Sequence, residues 1–206
     1  MGNGAPSKPR LRADAKRNTD QIRRAAIDAF QGRGLTVPLE DVAKAAGVSK
    51  ATIFNRFGGR IALIDAVIEE VVTGELQTII DRTRTIGDAG ERLAYYITAI
   101  RDLQYRQPAA NDAMLQTYPD AQSLIEICRA ASEINDELIT ACRACGALRP
   151  EFTADDLHAL LHDNALVLKH GTRPHRNDYD RRTTFLIDGI REGLSPERGA
   201  GPWLRG

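Results

Sequence analysis

Residues 47–57, GVSKATIFNRF, carry polar side chains whose chemistry matches the edges of DNA base pairs. Asparagine can form two hydrogen bonds with adenine, while arginine and lysine can bond to guanine or hold a phosphate. Threonine and alanine can contact the methyl group of thymine. A single short helix would present these residue types together, as Lys50, Ala51, Thr52, Asn55 and Arg56.

The apolar residues of the same segment need a hydrophobic partner on the other side of that helix. Val48, Ile53 and Phe57 lie between the polar residues, and we expect Phe57 to pack against Phe30 of an earlier helix. A helix of this composition meets a protein core on one side and a polar groove on the other. On the pattern alone, a small three-helix unit with a solvated face is the alternative interpretation.

The residues just before this segment predict its partner in a helix-turn-helix unit. PLEDVAKAA, residues 38–46, predicts a short helix, and Gly47-Val48-Ser49 is a turn of the length that joins the two helices of such a unit. Ala43 is small enough for close packing, and Gly47 can adopt the positive φ that the turn requires. We therefore predict a DNA-binding domain over residues 18–60.

Charge is distributed unevenly along the chain. Residues 1–60 contain 12 Lys and Arg against 5 Asp and Glu, a net charge of +7, and residues 61–206 carry a net charge of −7. This asymmetry favours a polyanionic partner for the N-terminal part alone. Residues 1–17 predict a flexible basic arm that follows phosphates or enters the minor groove, and a solvated tail is the alternative. Its cations are Lys8, Arg10, Arg12, Lys16 and Arg17.

Helical periodicity continues through the rest of the chain, and no segment predicts a strand. A long fourth helix is expected from about residue 60, followed by helices at about 88–106, 108–118, 120–145, 153–170 and 178–194. The predicted fold class is all-α with about nine helices. It comprises the three-helix domain, a larger helical domain over residues 61–194 and a loop-like tail over residues 195–206.

Four motifs in residues 18–72 together resemble one family. They are the A-x-x-x-F run of the first helix, the turn VAKAAGVS, the segment TIFNRF, and R-x-x-L at the start of the fourth helix. These motifs, which span about a quarter of the chain, resemble the N-terminal domain of TetR/AcrR-type transcriptional regulators. The resemblance implies an all-helical homodimer on a palindromic operator. It also implies a C-terminal domain that binds a small molecule and then releases the DNA.

The third helix departs from the family pattern at two places. Phe54 stands where the family usually has Tyr, so a phosphate bond from that hydroxyl is lost, and Asn55 and Arg56 replace the usual Arg followed by His or Tyr. These changes alter base preference. Arg60 matches the family's basic residue at the start of the fourth helix and is expected to hold a phosphate. The predicted DNA contacts are Lys50, Ala51, Thr52, Phe54, Asn55, Arg56, Arg60, Lys16 and Arg12.

A ligand cavity is expected among the helices at about 88–106, 108–118, 120–145 and 153–170. Residues with apolar bulk and polar tips would suit an apolar or aromatic small molecule, although plain core packing is the alternative for each of them. The predicted lining is Tyr95, Tyr96, Met114, Tyr118, Cys128 and His162.

The last two helices carry apolar stripes larger than one small domain needs. In the family these helices pair with their mates across a two-fold axis as a four-helix bundle. Some of the apolar residues are expected to belong to the internal core instead. The predicted interface is Leu157, Leu160, Leu161, Leu168, Leu186, Ile187 and Ile190.

Other chemistry is poorly supported by the sequence. Cys142 and Cys145 form a C-x-x-C pair without a second pair, and reduced core thiols are the favoured interpretation over a metal or redox site. His158 and His162 lie four residues apart but lack the glutamate of H-E-x-x-H. We find no phosphate loop, no nucleophile–base pair, no secretory signal and no membrane span. We therefore expect no enzyme activity, no metal, no cofactor and a cytoplasmic location.

The functional prediction is a homodimeric, sequence-specific transcriptional regulator. A repressor released from its operator by a small molecule fits best. The alternatives are an activator or global regulator of the same family and a non-specific architectural DNA-binding protein.

Overall fold

A computed structural model describes residues 8–115 and 120–191, with residues 8–15 as backbone only. These two ranges contain nine helices and no strand, apart from one isolated bridge between Leu148 and Arg191. The predicted all-α class is confirmed. No helix in these ranges is both long enough and apolar enough to cross a bilayer. The helices are α1 Lys8–Arg33, α2 Leu39–Ala45, α3 Lys50–Phe57, α4 (three consecutive parts, Arg60–Ile68, a π-helical turn Glu69–Thr73, and Gly74–Thr85), α5 Ala89–Arg106, α6 Pro108–Leu115, α7 Gln122–Ala144, α8 Ala154–His170 and α9 Arg176–Ile190.

The first helix begins earlier than the sequence pattern suggested. We expected residues 1–17 to be an arm, but α1 starts at Lys8, so residues 8–17 are helical. A proline is tolerated in the first turn of a helix, where Pro9 lies, and the following Ala, Leu, Arg and Lys residues are favourable helix formers. Residues 1–7 and the predicted tail at 195–206 lie outside the described residues.

The N-terminal domain has a small core that continues into the rest of the protein. Phe30 of α1, Val42 of α2 and Ile53 of α3 are fully buried, and Phe57 packs against them from a half-buried position. The first part of α4 adds four fully buried side chains, Leu63, Ile64, Val67 and Ile68. Helix α4 therefore belongs to the core of both domains.

Helix α5 lies at the centre of the C-terminal domain. It packs against α4, α6, α7, α8 and α9 and buries Tyr96 and Ile97 almost completely. The carboxylate of Asp88 caps its N-terminus by accepting a hydrogen bond of 2.8 Å from the backbone N–H of Glu91. This side-chain cap fixes the residue at which α5 begins.

A buried hydrogen-bonded network joins α5, α8 and α9. The amide nitrogen of Asn164 donates to Gln104 Oε1 at 2.6 Å and to the Tyr179 hydroxyl at 2.8 Å. That hydroxyl donates in turn to the carbonyl of Arg101 at 2.7 Å, and Gln104 donates to the carbonyl of Leu161 at 2.9 Å. Burial raises the pKa of Tyr179, so the hydroxyl remains protonated and able to donate. Because buried polar groups are costly without partners, the network fixes the register of the three helices.

The two domains meet tightly where α6 touches the link between α1 and α2. Gly34 has a φ of +86°, and a Cβ at this position would lie 2.3 Å from Oδ2 of Asp112. Asp112 is 3% exposed and forms an ion pair with Lys169 of α8. This carboxylate occupies the space of a missing side chain, so the N-terminal domain rests directly on α6.

We expect Gly34→Ala to destabilise the protein by about 1–3 kcal/mol. The substitution forces a non-glycine residue into a left-handed conformation and pushes the Asp112 carboxylate away from Lys169. Gly32→Ala is the matched control, because it lies in the last turns of α1 with no neighbour within 4 Å, and it should keep or raise stability. Urea unfolding of the two variants checks this expectation, and equal midpoints would contradict it.

Candidate nucleic-acid interface and ligand cavity

The turn between α2 and α3 has the geometry that the sequence predicted. Gly47 adopts a φ of +65°, and the backbone N–H of Val48 donates to the carbonyl of Ala43 at 3.0 Å. Ser49 caps α3, because its Oγ accepts a hydrogen bond of 3.1 Å from the backbone N–H of Thr52. These contacts fix the angle at which α3 leaves the domain.

Helix α3 has one buried side and one exposed side. Ile53 is fully buried, whereas Ala51, Asn55 and Arg56 are exposed. Phe54 is 48% exposed, and its ring lies against the backbone of Gly59, where an added Cβ would be 3.1 Å away. An exposed aromatic ring at this place is available to pack on a sugar or a thymine methyl group.

Several predicted DNA contacts already have partners within the protein. Lys50 forms an ion pair with Glu40, whose pKa it lowers through that hydrogen bond. The hydroxyl of Thr52 lies 2.8 Å from that of Ser49. Asn55 and Arg56 have no side-chain hydrogen bond or ion pair to any residue in the described ranges, so their polar groups are available for an external partner.

Arg60 forms hydrogen bonds within the protein that the sequence did not predict. Its guanidinium donates to the backbone carbonyls of Leu35 and Val37, so it holds the link between α1 and α2 onto the start of α4. Both terminal nitrogens are engaged in this way, and its role as a phosphate ligand stays a prediction. Lys16 is exposed on α1, and the side chain of Arg12 lies outside the described residues.

A cavity of about 370 Å³ lies between α4, α5, α6, α7 and α8. Of the predicted lining, Tyr96, Met114 and Cys128 reach it. Tyr95 and His162 do not, because adjacent positions on a helix point about 100° apart and their neighbours Tyr96 and Leu161 face the cavity instead. Tyr118 lies outside the described residues.

The other lining residues could not be recognised from the sequence, because the residues of a cavity wall follow the same apolar pattern as those of a packed core. Apolar residues dominate the inner wall, and polar ones come from α5, α7 and α8. Helix α4 contributes Val72, within its π-helical turn, and Leu76. The other lining residues that sequence reasoning missed are Ile100, Leu103, Gln104, Ala110, Ala113, Ile127, Ala131, Ser132, Asn135, Asp136, Ala154, Asp155, His158 and Leu161.

The predicted dimer residues divide into two groups in the single chain. Leu157, Leu161 and Ile190 are at most 7% exposed and belong to the protein's own core, so their assignment to an interface is corrected. Leu157 and Leu161 are one helical turn apart, and that side of α8 packs against the neighbouring helices. The remaining predicted residues are half-buried, namely Leu160, Leu168, Leu186 and Ile187.

Three apolar residues that the sequence analysis did not select are exposed on α8 and α9. Leu166 is 39% exposed, Val167 53% and Phe185 64%. Large apolar side chains are thus exposed on both of the last two helices. Leu166, Val167 and Phe185 are together named the apolar face of α8 and α9.

The cysteine pair is divided between core and surface, because Cys142 is buried and Cys145 is exposed, so the predicted core position of Cys145 is wrong. The Cys142 thiol is buried and donates to the carbonyl of Ala89 at 3.2 Å, and burial raises its pKa to about 11. A protonated thiol of this kind is neither a good nucleophile nor a metal ligand. The rings of His158 and His162 are 6.2 Å apart, and the described residues include no group of three His, Cys, Asp or Glu placed to hold a metal ion.

The fold and the exposed side of α3 define a helix-turn-helix DNA-binding transcriptional regulator. Residues 22–67 match the family model described as "Bacterial regulatory proteins, tetR family". The N-terminal part of the chain therefore contains a DNA-binding domain of the tetR family of bacterial regulatory proteins. A sequence search found no match among curated proteins.

Solved structures with the same fold include three regulators. One is a TetR/AcrR-family regulator from Thermobifida fusca (21% identity, TM-score 0.61, 84% of this chain and 98% of that one). Another is the ketosteroid transcriptional regulator KstR2 of Mycobacterium tuberculosis (16%, 0.60, 86% and 96%). The third is FadR from Bacillus subtilis in complex with stearoyl-CoA (16%, 0.62, 86% and 100%). At these identities the likeness establishes the fold alone.

We expect Asn55→Ala to weaken binding to the preferred DNA site by roughly 1–3 kcal/mol and to relax the preference at one base position. Asn55 is exposed and bonds to no described residue, so the fold should be unaffected. Fluorescence anisotropy with labelled duplexes measures the change. Thr140→Ala, exposed on α7 in the other domain, is the control and should bind like the parent protein. Unchanged affinity and preference for the Asn55 variant would contradict the role of Asn55.

Proposed function

We propose that the protein is a homodimeric repressor that binds a palindromic operator and is released from it by a small molecule held in the 370 Å³ cavity. The observation that carries the proposal is the course of α4. Its first residue, Arg60, holds the link between α1 and α2, while Val72 and Leu76 of the same helix line the cavity. One helix thus contacts both the ligand site and the DNA-binding domain.

Coupling through α4 has a short physical path. Arg60 and Val72 are twelve residues apart, which is about 18 Å along a helix. The π-helical turn at Glu69–Thr73 lies at the cavity end of this path, and such turns are rare and often occur at functional sites. A ligand that displaces Val72 would push on a segment whose hydrogen bonding already departs from the α-helix. The displacement would then reach Arg60 and change the position of α3.

A second contact supports the same coupling from the other side of the domain boundary. Asp112 of α6 touches Gly34 and pairs with Lys169 of α8. Helices α6 and α8 both contribute to the cavity wall, through Met114 and Leu161. A change in cavity volume therefore acts on the N-terminal domain at two points, the start of α4 and the link between α1 and α2.

The exposed apolar face on α8 and α9 supports the dimer. A two-fold pairing would bury Leu166, Val167 and Phe185 against their own copies, as an isologous interface requires. A dimer of this kind would present two copies of α3 to successive half-sites of a palindrome. The DNA contacts expected of each copy are those predicted from the sequence, with Asn55 and Arg56 the most accessible.

The ligand cavity favours a small apolar or aromatic effector. Its volume lies near the lower end of the range for small-molecule sites, and most of its wall is apolar. FadR from Bacillus subtilis, which shares the fold, was solved with stearoyl-CoA bound, so this architecture can hold an apolar chain. In this proposal the protein acts on DNA in the cytoplasm and catalyses no reaction. An activator of the same family would share all these features and differ only in the position of its operator.

Selection of the purified protein on random duplex DNA, followed by a salt titration of the selected site, tests the proposal. A palindromic consensus that binds one dimer supports a specific regulator. Binding without a consensus that simply fades with salt would identify an architectural protein and overturn the repressor assignment. Effector release is tested separately, by whether ligands that bind the cavity lower affinity for that consensus.

We expect Val167→Asp combined with Phe185→Glu to convert the dimer into a single chain of 22.6 kDa. Each new carboxylate would be desolvated in the apolar interface, which is costly without a cation. The same variant should lose most of its operator affinity, because a single α3 reads only a half-site. Sedimentation velocity and anisotropy measure the two effects.

Ile125→Glu is the matched control for this experiment. Ile125 is 47% exposed, comparable with Val167, but lies on α7. A variant at this position should remain a dimer with normal operator binding. If the α7 variant dissociates and the double variant does not, the interface lies elsewhere.

A further inference from the structure

The polar end of the ligand cavity has a one-sided charge. Among the described residues that line it there is no Lys or Arg, whereas Asp136 of α7 and Asp155 of α8 contribute two carboxylates. Both side chains are exposed, so they lie where the cavity opens to solvent. The inner wall, by contrast, is apolar, with Leu76, Ile100 and Ile127 among its residues.

The two carboxylates differ from the acidic residues around them. Glu137 accepts two hydrogen bonds from Arg84, at 3.0 and 2.7 Å, and Asp156 caps α8 together with Thr153. Neither Asp136 nor Asp155 forms an ion pair or side-chain hydrogen bond with a residue in the described ranges. Glu137 and Asp156, next to the opening, are bound by other residues of the protein. Asp136 and Asp155, at the opening, have no comparable partner.

A buried acceptor points to the same ligand chemistry. Asn135 is 4% exposed and forms part of the cavity wall, and its Oδ1 is buried with no hydrogen-bond donor among the described residues. An amide oxygen left in this state destabilises the folded protein. Because this oxygen is closed off from solvent, it does not face the opening, but its partial negative charge favours a cation over an anion on that side of the cavity.

We propose that the effector is a small amphiphilic amine, with an apolar body against α4, α5 and α6 and a protonated nitrogen facing Asp136 and Asp155. A cationic nitrogen at the opening would be attracted by both carboxylates. A carboxylate or phosphate in the same place would be repelled by the two carboxylates, and the described lining offers it no Lys or Arg. This inference rests on the proposed function for its regulatory meaning, but the charge preference belongs to the cavity alone.

Three ligands with the same ten-carbon chain test the proposal directly. Decylamine is protonated at neutral pH, decanol is neutral and decanoate is anionic. Calorimetric titration should show decylamine binding at least tenfold more tightly than decanoate, with decanol between them. Equal affinities, or decanoate as the tightest ligand, would overturn the amine assignment.

Substitutions at the opening locate the preference. Asp136→Asn combined with Asp155→Asn should bring decylamine down to the affinity of decanol. Asp136→Lys should make decanoate bind more tightly than decylamine. This variant keeps the test decisive if the double variant folds poorly. Asp163→Asn, on α8 but outside the cavity wall, is the control and should leave all three affinities unchanged. An amine preference that survives both changes at the opening would refute the role of the carboxylates.

The alkylation rate of Cys128, which lines the cavity, reports whether a ligand occupies it. In a Cys145→Ser background, Cys142 stays buried, so iodoacetamide reports on Cys128, and bound decylamine should slow the alkylation. Unchanged alkylation at saturating amine would place the ligand elsewhere and overturn the proposal.

Operator binding separates the two proposals. If decylamine protects Cys128 but leaves operator affinity unchanged, the release mechanism fails and the amine site stands. If decanoate or decanol binds most tightly and also releases the operator, the release mechanism stands and the amine assignment fails.

Discussion

The burial of α4 in two cores at once is the constraint on which the rest of the structure depends. Its first half closes the N-terminal domain with Leu63, Ile64, Val67 and Ile68, all fully buried. Its second half lies against α5 and forms part of the cavity wall. The first half is close-packed, so its neighbours leave no space to absorb a displacement of the helix. The π-helical turn lies between the two halves, at the one part of α4 whose hydrogen bonding departs from the regular pattern.

Buried polar contacts decide how the other helices are arranged around α4. The network of Gln104, Asn164 and Tyr179 sets α5, α8 and α9 in one register. This register has two consequences. It turns Leu157 and Leu161 inward and leaves Val167 on the surface, and it places Gln104 in the cavity wall. The same hydrogen bonds thus affect both the surface of α8 and the wall of the cavity.

The polar and charged side chains of the two domains differ in whether they have partners within the protein. In the N-terminal domain, Lys50 and Arg60 are engaged within the protein, whereas Asn55 and Arg56 are left outward-facing. Most acidic residues of the C-terminal domain that lie near the cavity have arginine or backbone partners, such as Glu137 and Asp156. The unpaired carboxylates are therefore informative, because surface acids that need no partner for folding are free to select a ligand by charge.

The sequence by itself determined the local elements. The helix periodicity, the Asp88 cap, the glycine turn at Gly47 and the mixed composition of α3 all follow from interactions within a few residues, which a linear pattern records. Periodicity could not decide which side of a long amphipathic helix meets its own core and which meets a partner. Leu157 and Val167 look alike in sequence, and only tertiary packing separates them. The unpaired state of Asp136 and the contact of Asp112 with Gly34 likewise depend on residues far apart in the chain, which only the folded structure brings together.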